Sequence, residues 1–132
     1  MNNIQSLEPL NKLKKLRKLE LEHGRLSYVV NTKNLGNIDE LICYYVKIND
    51  YFRRDTFVNL KKLEVQGVKL KDLSFCKNLK SLEELKINYG EIGTLNGIEE
   101  MKNLKKIELY KSRIKDDNLL KNREDIRIIK VN

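Results

Sequence analysis

The sequence predicts an α/β protein built as a solenoid, a stack of short repeats that each contribute one strand and one turned segment. Two observations predict it. Leu82, Leu85, Ile87, Ile92, Leu95, Ile98 and Met101 fall at positions 1, 4, 6, 11, 14, 17 and 20 of a 22-residue unit, and Leu104, Ile107 and Leu109 restart the series. Extended both ways, the spacing gives starts at Leu16, Ile38, Leu60, Leu82, Leu104 and Ile126, six registers without insertion or deletion. A fixed period of this length marks an array whose units cannot bury their own apolar face and must stack.

Each element follows from the spacing. The six starts open "LRKLEL", "IDELIC", "LKKLEV", "LEELKI", "LKKIEL" and "IRIIKV", in which positions 4 and 6 alternate inward as a strand requires. Three-residue steps at positions 11, 14, 17 and 20 suit 3-10 or tightly turned backbone. Ile4, Leu7, Leu10 and Leu13 continue those positions backward, so residues 1–15 are expected to form a strandless half-repeat that caps the N-terminal end of one domain spanning 1–132. Apolar identity lapses at Thr32 and Arg54, and again at Asp117 and Arg123, which predicts irregular, mobile loops near 50–56 and 115–124.

The pattern LxxLxLxx(N)xL followed by apolar residues at three-residue intervals resembles the leucine-rich repeat, specifically the 22-residue internalin-like class common in bacteria, over nearly the whole chain. The resemblance implies a right-handed coil with a concave parallel sheet of about six short strands and 3-10 or turn segments on the convex side. One departure matters. The family's Asn at position 9, whose side chain bonds backbone in adjacent turns, is here Gly24, Val46, Val68, Gly90 and Ser112. Only Asn2 falls in that register, so the asparagine ladder is expected to be missing.

Composition excludes several classes of function. The opening MNNIQSLEPL has no basic n-region or apolar run, and no stretch approaches the roughly 20 apolar residues that cross a bilayer, so a cytoplasmic protein without a membrane partner is expected. Cys43 and Cys76 make neither a disulfide framework nor a zinc pattern. At inward positions 6 and 17 they are expected to be small hydrophobes rather than nucleophiles. His23, the one histidine, anchors no metal site, and Gly90, Gly93 and Gly97 form no phosphate-cradling loop. Carboxylates set among lysines favour pairing over acid catalysis. No enzyme, cofactor or metal is expected.

Reading equivalent positions as columns locates the candidate surface. Position 3 runs Lys18, Glu40, Lys62, Glu84, Lys106 and position 2 runs Arg17, Asp39, Lys61, Glu83, Lys105, alternations expected to pair as solvated ladders between strands about 4.8 Å apart. Positions 7 and 8 gather Tyr44 and Tyr110 with His23, Tyr45 and Tyr89, residues that either form a contact patch or shield strand ends. Position 10 supplies Arg25, Lys47, Lys69 and Arg113, joined at position 12 by Lys71 and Lys115 and interrupted at Glu91, a basic ridge roughly 20 Å long. The terminal "IRIIKV" strand offers an edge that Arg127 and Lys130 either protect or leave open to homodimerisation.

With a net charge of +8, from 27 basic and 19 acidic residues, these columns predict a non-enzymatic module that binds an acidic protein surface, with the tyrosines as anchors and the ridge steering. A short stand-alone module of this kind suits an inhibitor or immunity-type antagonist. The alternatives are nucleic-acid binding through the ridge, as in an anti-defence or anti-CRISPR factor, and self-assembly through open ends.

Overall fold

Alternation of apolar side chains at positions 4 and 6 with polar ones between them produces strands of one length at one place in each repeat. The computed structural model of the protein describes residues 6–26, 29, 32, 33 and 35–132. Five-residue strands run Lys18–Glu22 (β1), Glu40–Tyr44 (β2), Lys62–Gln66 (β3), Glu84–Asn88 (β5), Lys106–Tyr110 (β7) and Arg127–Val131 (β9), joined in one parallel sheet in the order β1-β2-β3-β5-β7-β9. Two-residue strands at Lys69–Leu70 (β4), Glu91–Ile92 (β6) and Arg113–Ile114 (β8) make a second, three-stranded sheet. Arg25 and Lys47 extend the same column as an isolated parallel bridge.

Register follows the apolar spacing through five strands: Lys18 lies opposite Glu40, Leu41 opposite Leu63, Leu63 opposite Leu85, and Leu85 opposite Ile107. A slip of one residue would turn every one of these side chains to solvent, which is why burial fixes the register. The inward columns form one continuous hydrophobic cluster that includes Leu41, Leu63, Leu85 and Ile107 at position 4 and Cys43, Val65, Ile87 and Leu109 at position 6. Short 3-10 helices at Ser74–Cys76, Ile98–Glu100 and Asn118–Asn122 fall within the segments of three-residue spacing.

The structure departs from the sequence expectation at several places. The last strand pairs one residue out of step, with Lys106 opposite Arg127 and Leu109 opposite Lys130, an offset of 21 instead of 22. Ile126 keeps its place in the core, but every residue of β9 is exposed or half-exposed, so no buried face holds the strand in register. In the N-terminal segment a 3-10 helix covers Glu8–Lys12 and Leu7 is buried, whereas Leu13 is turned out to solvent. Ile4 and Asn2 lie outside the described residues. Thr32, an apparent lapse in the apolar series, is fully buried because its Oγ1 accepts the Leu7 backbone N–H at 3.0 Å.

Residues 115–124, expected to be irregular, contain a 3-10 helix and end on an anchored arginine. Arg123 occupies the column of Leu79 and Met101, and its guanidinium donates to the carbonyls of Ile98, Met101 and Leu104 and to the Asp125 carboxylate. Residues 50–56 do lack helix, yet Phe52 and Phe57 pin that segment inside the core, edge to face at 5.7 Å.

A side-chain ladder also exists, in a column other than position 9. Asn37, Asn59 and Asn103 donate through Nδ2 to the carbonyls of Leu13, Gly36 and Lys80, and Ser81 donates through Oγ to Val58. All four stand at position 22, just before the next strand, and satisfy carbonyls of the preceding repeat. The expected charge ladders form only in part. Glu83 meets Lys61 and Lys105 at 3.9 and 3.6 Å, and Glu84 meets Lys106, while Lys18 turns to Glu20 within its own strand. Exposed pairs of this kind contribute little, so nothing enforces a complete ladder.

Replacing Arg123 with Ala leaves three carbonyls without their charged donor and should lower unfolding stability by about 2 kcal/mol. Arg123→Lys, which lacks the planar fork, should recover part of that loss. Urea titration of the three proteins checks this, and an unchanged midpoint in the Ala variant would contradict the anchoring role.

Candidate functional site

At the end of each strand the chain makes one more inter-repeat hydrogen bond before it leaves the sheet. The backbone N–H of His23 donates to Tyr44, Tyr45 to Gln66, Gly67 to Asn88, Tyr89 to Tyr110 and Lys111 to Val131, at 2.7–2.9 Å. These five residues form the position 8 column, and all have positive φ: 49° at His23, 54° at Tyr45, 69° at Gly67, 51° at Tyr89 and 45° at Lys111. The left-handed conformation reverses the chain so that it can reach the second small sheet two residues later. Glycine adopts it without penalty, whereas an ordinary side chain costs about 1 kcal/mol or more. Four of the five positions nevertheless carry side chains, three of them aromatic.

Those side chains are displayed, not packed away. Tyr45 is 50% exposed and Tyr89 51%. His23 stacks on Tyr45 with ring centroids 5.4 Å apart and planes within 10°, and its Nε2 lies 3.4 Å from Glu22. Tyr89 meets Tyr110 edge to face at 5.4 Å, and the Lys111 ammonium stands over both rings at 5.6 and 5.7 Å. Gly67 separates the two groups. A Cβ there would come within 2.4 Å of the Tyr45 ring, which lies across the glycine. Beyond it opens a cleft of about 490 Å³ lined by Gly67, Val68, Lys69, Tyr89, Gly90, Glu91 and Lys111.

Tyr44 belongs to the sheet face and not to this edge. It is half-buried, and burial first, then the nearby carboxylates of Glu20 and Glu64, push its phenol above the ordinary value. Across the same face Asn88 is buried, its Nδ2 donating to the Glu64 carboxylate. Ile42 is buried there too, although it lies on the face opposite Leu41 and Cys43.

The basic ridge divides into two halves with different character. Glu91 accepts from Arg113 at 2.6 Å and pairs with Lys115 at 3.2 Å, and these two cations hold its carboxyl below the usual range. Arg113 therefore drops out of the free ridge in which the sequence placed it. Among the described residues Arg25, Lys47, Lys69 and Lys71 form no close ion pair, although Lys71 stands near enough to Asp72 to help lower its carboxyl and Lys69 lies opposite Glu91 in the β4–β6 pair.

Neither thiol joins this surface. Cys43 and Cys76 are buried, and burial pushes the Cys43 thiol up to about 12. No group of three or more His, Cys, Asp or Glu residues is placed to hold a metal among the described residues, and no helix among them is long and apolar enough to cross a membrane.

Of the predicted site residues, the structure brings together His23 with Tyr45 and Tyr89 with Tyr110, places Lys47 and Lys69 beside them, and sets Tyr44 and Arg113 apart. Lys111 and Gly67 stand in the same position 8 column but were not among the predicted site residues; only the side-chain geometry shows that one braces the rings and the other leaves room beside the Tyr45 ring. Comparison of the sequence with protein-family models and with curated proteins gives no match.

Substituting Gly67 with Ala should lower unfolding stability by about 1–2 kcal/mol, since the backbone there is left-handed. It should also displace the Tyr45 ring. Urea unfolding together with near-ultraviolet circular dichroism reads both effects, and a variant identical to wild type in each would contradict the placement.

Proposed function

We propose that this chain is a non-enzymatic protein-binding module of the leucine-rich-repeat type, a solenoid whose strand-end edge is the contact surface. The 22-residue strand register and the 3-10 segments support the architecture. One observation carries the function: bulky Tyr45 and Tyr89 occupy left-handed positions that favour glycine, and both rings remain half-exposed. Backbone strain retained at rings that pack only on one another and stay half-exposed points to a binding role. Tyrosine offers large amphipathic contact area with few torsions to freeze, which suits an anchor on a rigid support. The exposed Arg25, Lys47, Lys69 and Lys71 would steer an acidic partner and raise its association rate. Blocking a target by occupying its surface, as an inhibitor or immunity-type antagonist does, needs nothing more.

Nucleic-acid binding is the second reading, favoured by the same four cations. It requires strong salt dependence and tolerance of sequence.

The test is affinity capture from a cell lysate with nuclease, at low and high salt, comparing wild type with a Tyr45→Asn, Tyr89→Asn, Tyr110→Ala variant. Asn tolerates the left-handed conformation, so the fold should survive. A discrete protein held by wild type and lost by a variant of equal thermal stability is the expected result. Bound material that disappears with nuclease in the wild type would move the assignment to nucleic acid, and capture unaffected by the three substitutions would remove the aromatic edge from the function.

A further inference from the structure

The cleft beside Gly67 has features that narrow the chemistry of what would enter it. Its lining includes two glycines from adjacent repeats, Gly67 and Gly90. A Cβ on Gly90 would lie 2.7 Å from the Val68 carbonyl, so the floor stays bare peptide for steric reasons. Tyr89 forms one wall, fixed by Tyr110 on one side and by Lys111 above. A bare peptide floor with an aromatic wall and an ammonium at the rim accommodates a planar ring, which gains edge-to-face and cation–π contact there. The cleft, about 490 Å³, is broadly open to solvent, so a side chain would lie against its wall and not be enclosed.

Charge around the cleft is one-sided. Glu91, the only acid in its lining, is engaged by Arg113 and Lys115. Lys69 in the lining lies opposite Glu91, whose carboxylate is taken up by Arg113 and Lys115, and Lys47 and Arg25, which form no ion pair among the described residues, continue the same column. An extended segment can follow such a line, one side chain per repeat.

The geometry points to an extended, acidic segment of a partner protein that seats one aromatic side chain in the cleft between Gly67, Gly90 and Tyr89 and lays its carboxylates along Lys69, Lys47 and Arg25. This rests on the protein-binding reading and narrows it. Single-stranded nucleic acid fits less well. Successive bases need a row of open ring faces, but His23 and Tyr45 cover one another and Lys111 stands over Tyr89 and Tyr110.

Three fluorescent probes test the inference on the intact protein at physiological salt: a random glutamate–tyrosine copolymer, polyglutamate of the same length, and an oligothymidylate. The copolymer should bind about tenfold more tightly than polyglutamate or the oligonucleotide. Lys47→Glu with Lys69→Glu, both exposed positions, should weaken the copolymer by about tenfold or more, and Tyr89→Asn should erase its advantage over polyglutamate while leaving the weaker binding in place. Circular dichroism verifies that each variant is folded. Equal affinity for copolymer and polyglutamate would overturn the aromatic seat, tighter binding of the oligonucleotide would replace the partner by nucleic acid, and no copolymer binding at all would reject the acidic segment. Any of these results leaves a lysate partner captured through the tyrosines as evidence for the broader function, whereas failure of that capture would remove the broader function itself.

Discussion

The structure depends on one recurring contact, the hydrogen bond from the last amide of each strand to the carbonyl that ends the strand of the following repeat. It recurs at His23, Tyr45, Gly67, Tyr89 and Lys111, and the residue that makes it is held at positive φ each time. The contact extends the sheet by one bond and at the same point sends the chain toward the second sheet. Without it, position 10 could not form the column in which Lys69, Glu91 and Arg113 lie side by side.

Most other features follow from that repetition. Because each repeat reaches the same place with the same turn, apolar side chains separated by 22 residues meet in columns and close a continuous core. Carbonyls left open between repeats recur at the same place too, so one residue type serves several of them: Asn37, Asn59 and Asn103, with Ser81 in the remaining position. Where the pattern fails, the structure substitutes a different donor. Arg123 meets with one guanidinium the carbonyls that no asparagine reaches. The same regularity aligns the rings at the strand ends and the cations two residues further on, so a surface patch arises from the repeat itself.

The strands, their parallel order and the core columns were legible in the sequence because burial imposes a period that apolar residues must obey. Five of six strand registers follow from it, and the sixth slips where burial is weak. Hydrogen-bonding roles were far less legible. Thr32 and Arg123 looked like defects in the apolar series because a polar side chain that is satisfied internally leaves no mark on periodicity. The ladder at position 22 was hidden for a related reason, since an asparagine in a turn equally suits a simple turn. At the candidate site the tyrosine and cation columns could be read directly, but the left-handed backbone beneath Tyr45 and Tyr89 could not, as Tyr is not a residue that announces positive φ. The pairing of Glu91 with Arg113 and Lys115 was likewise invisible until side-chain directions were fixed.

Amide hydrogen exchange, resolved by residue, tests this account most directly. The claim is that the strand-end bonds hold the aromatic edge rigid, so the amides of Tyr45, Gly67 and Tyr89 should be as protected as those of the central strands β3 and β5. Rapid exchange at these three amides while β3 and β5 stay protected would show that the edge is not held by the sheet, and would contradict the central claim.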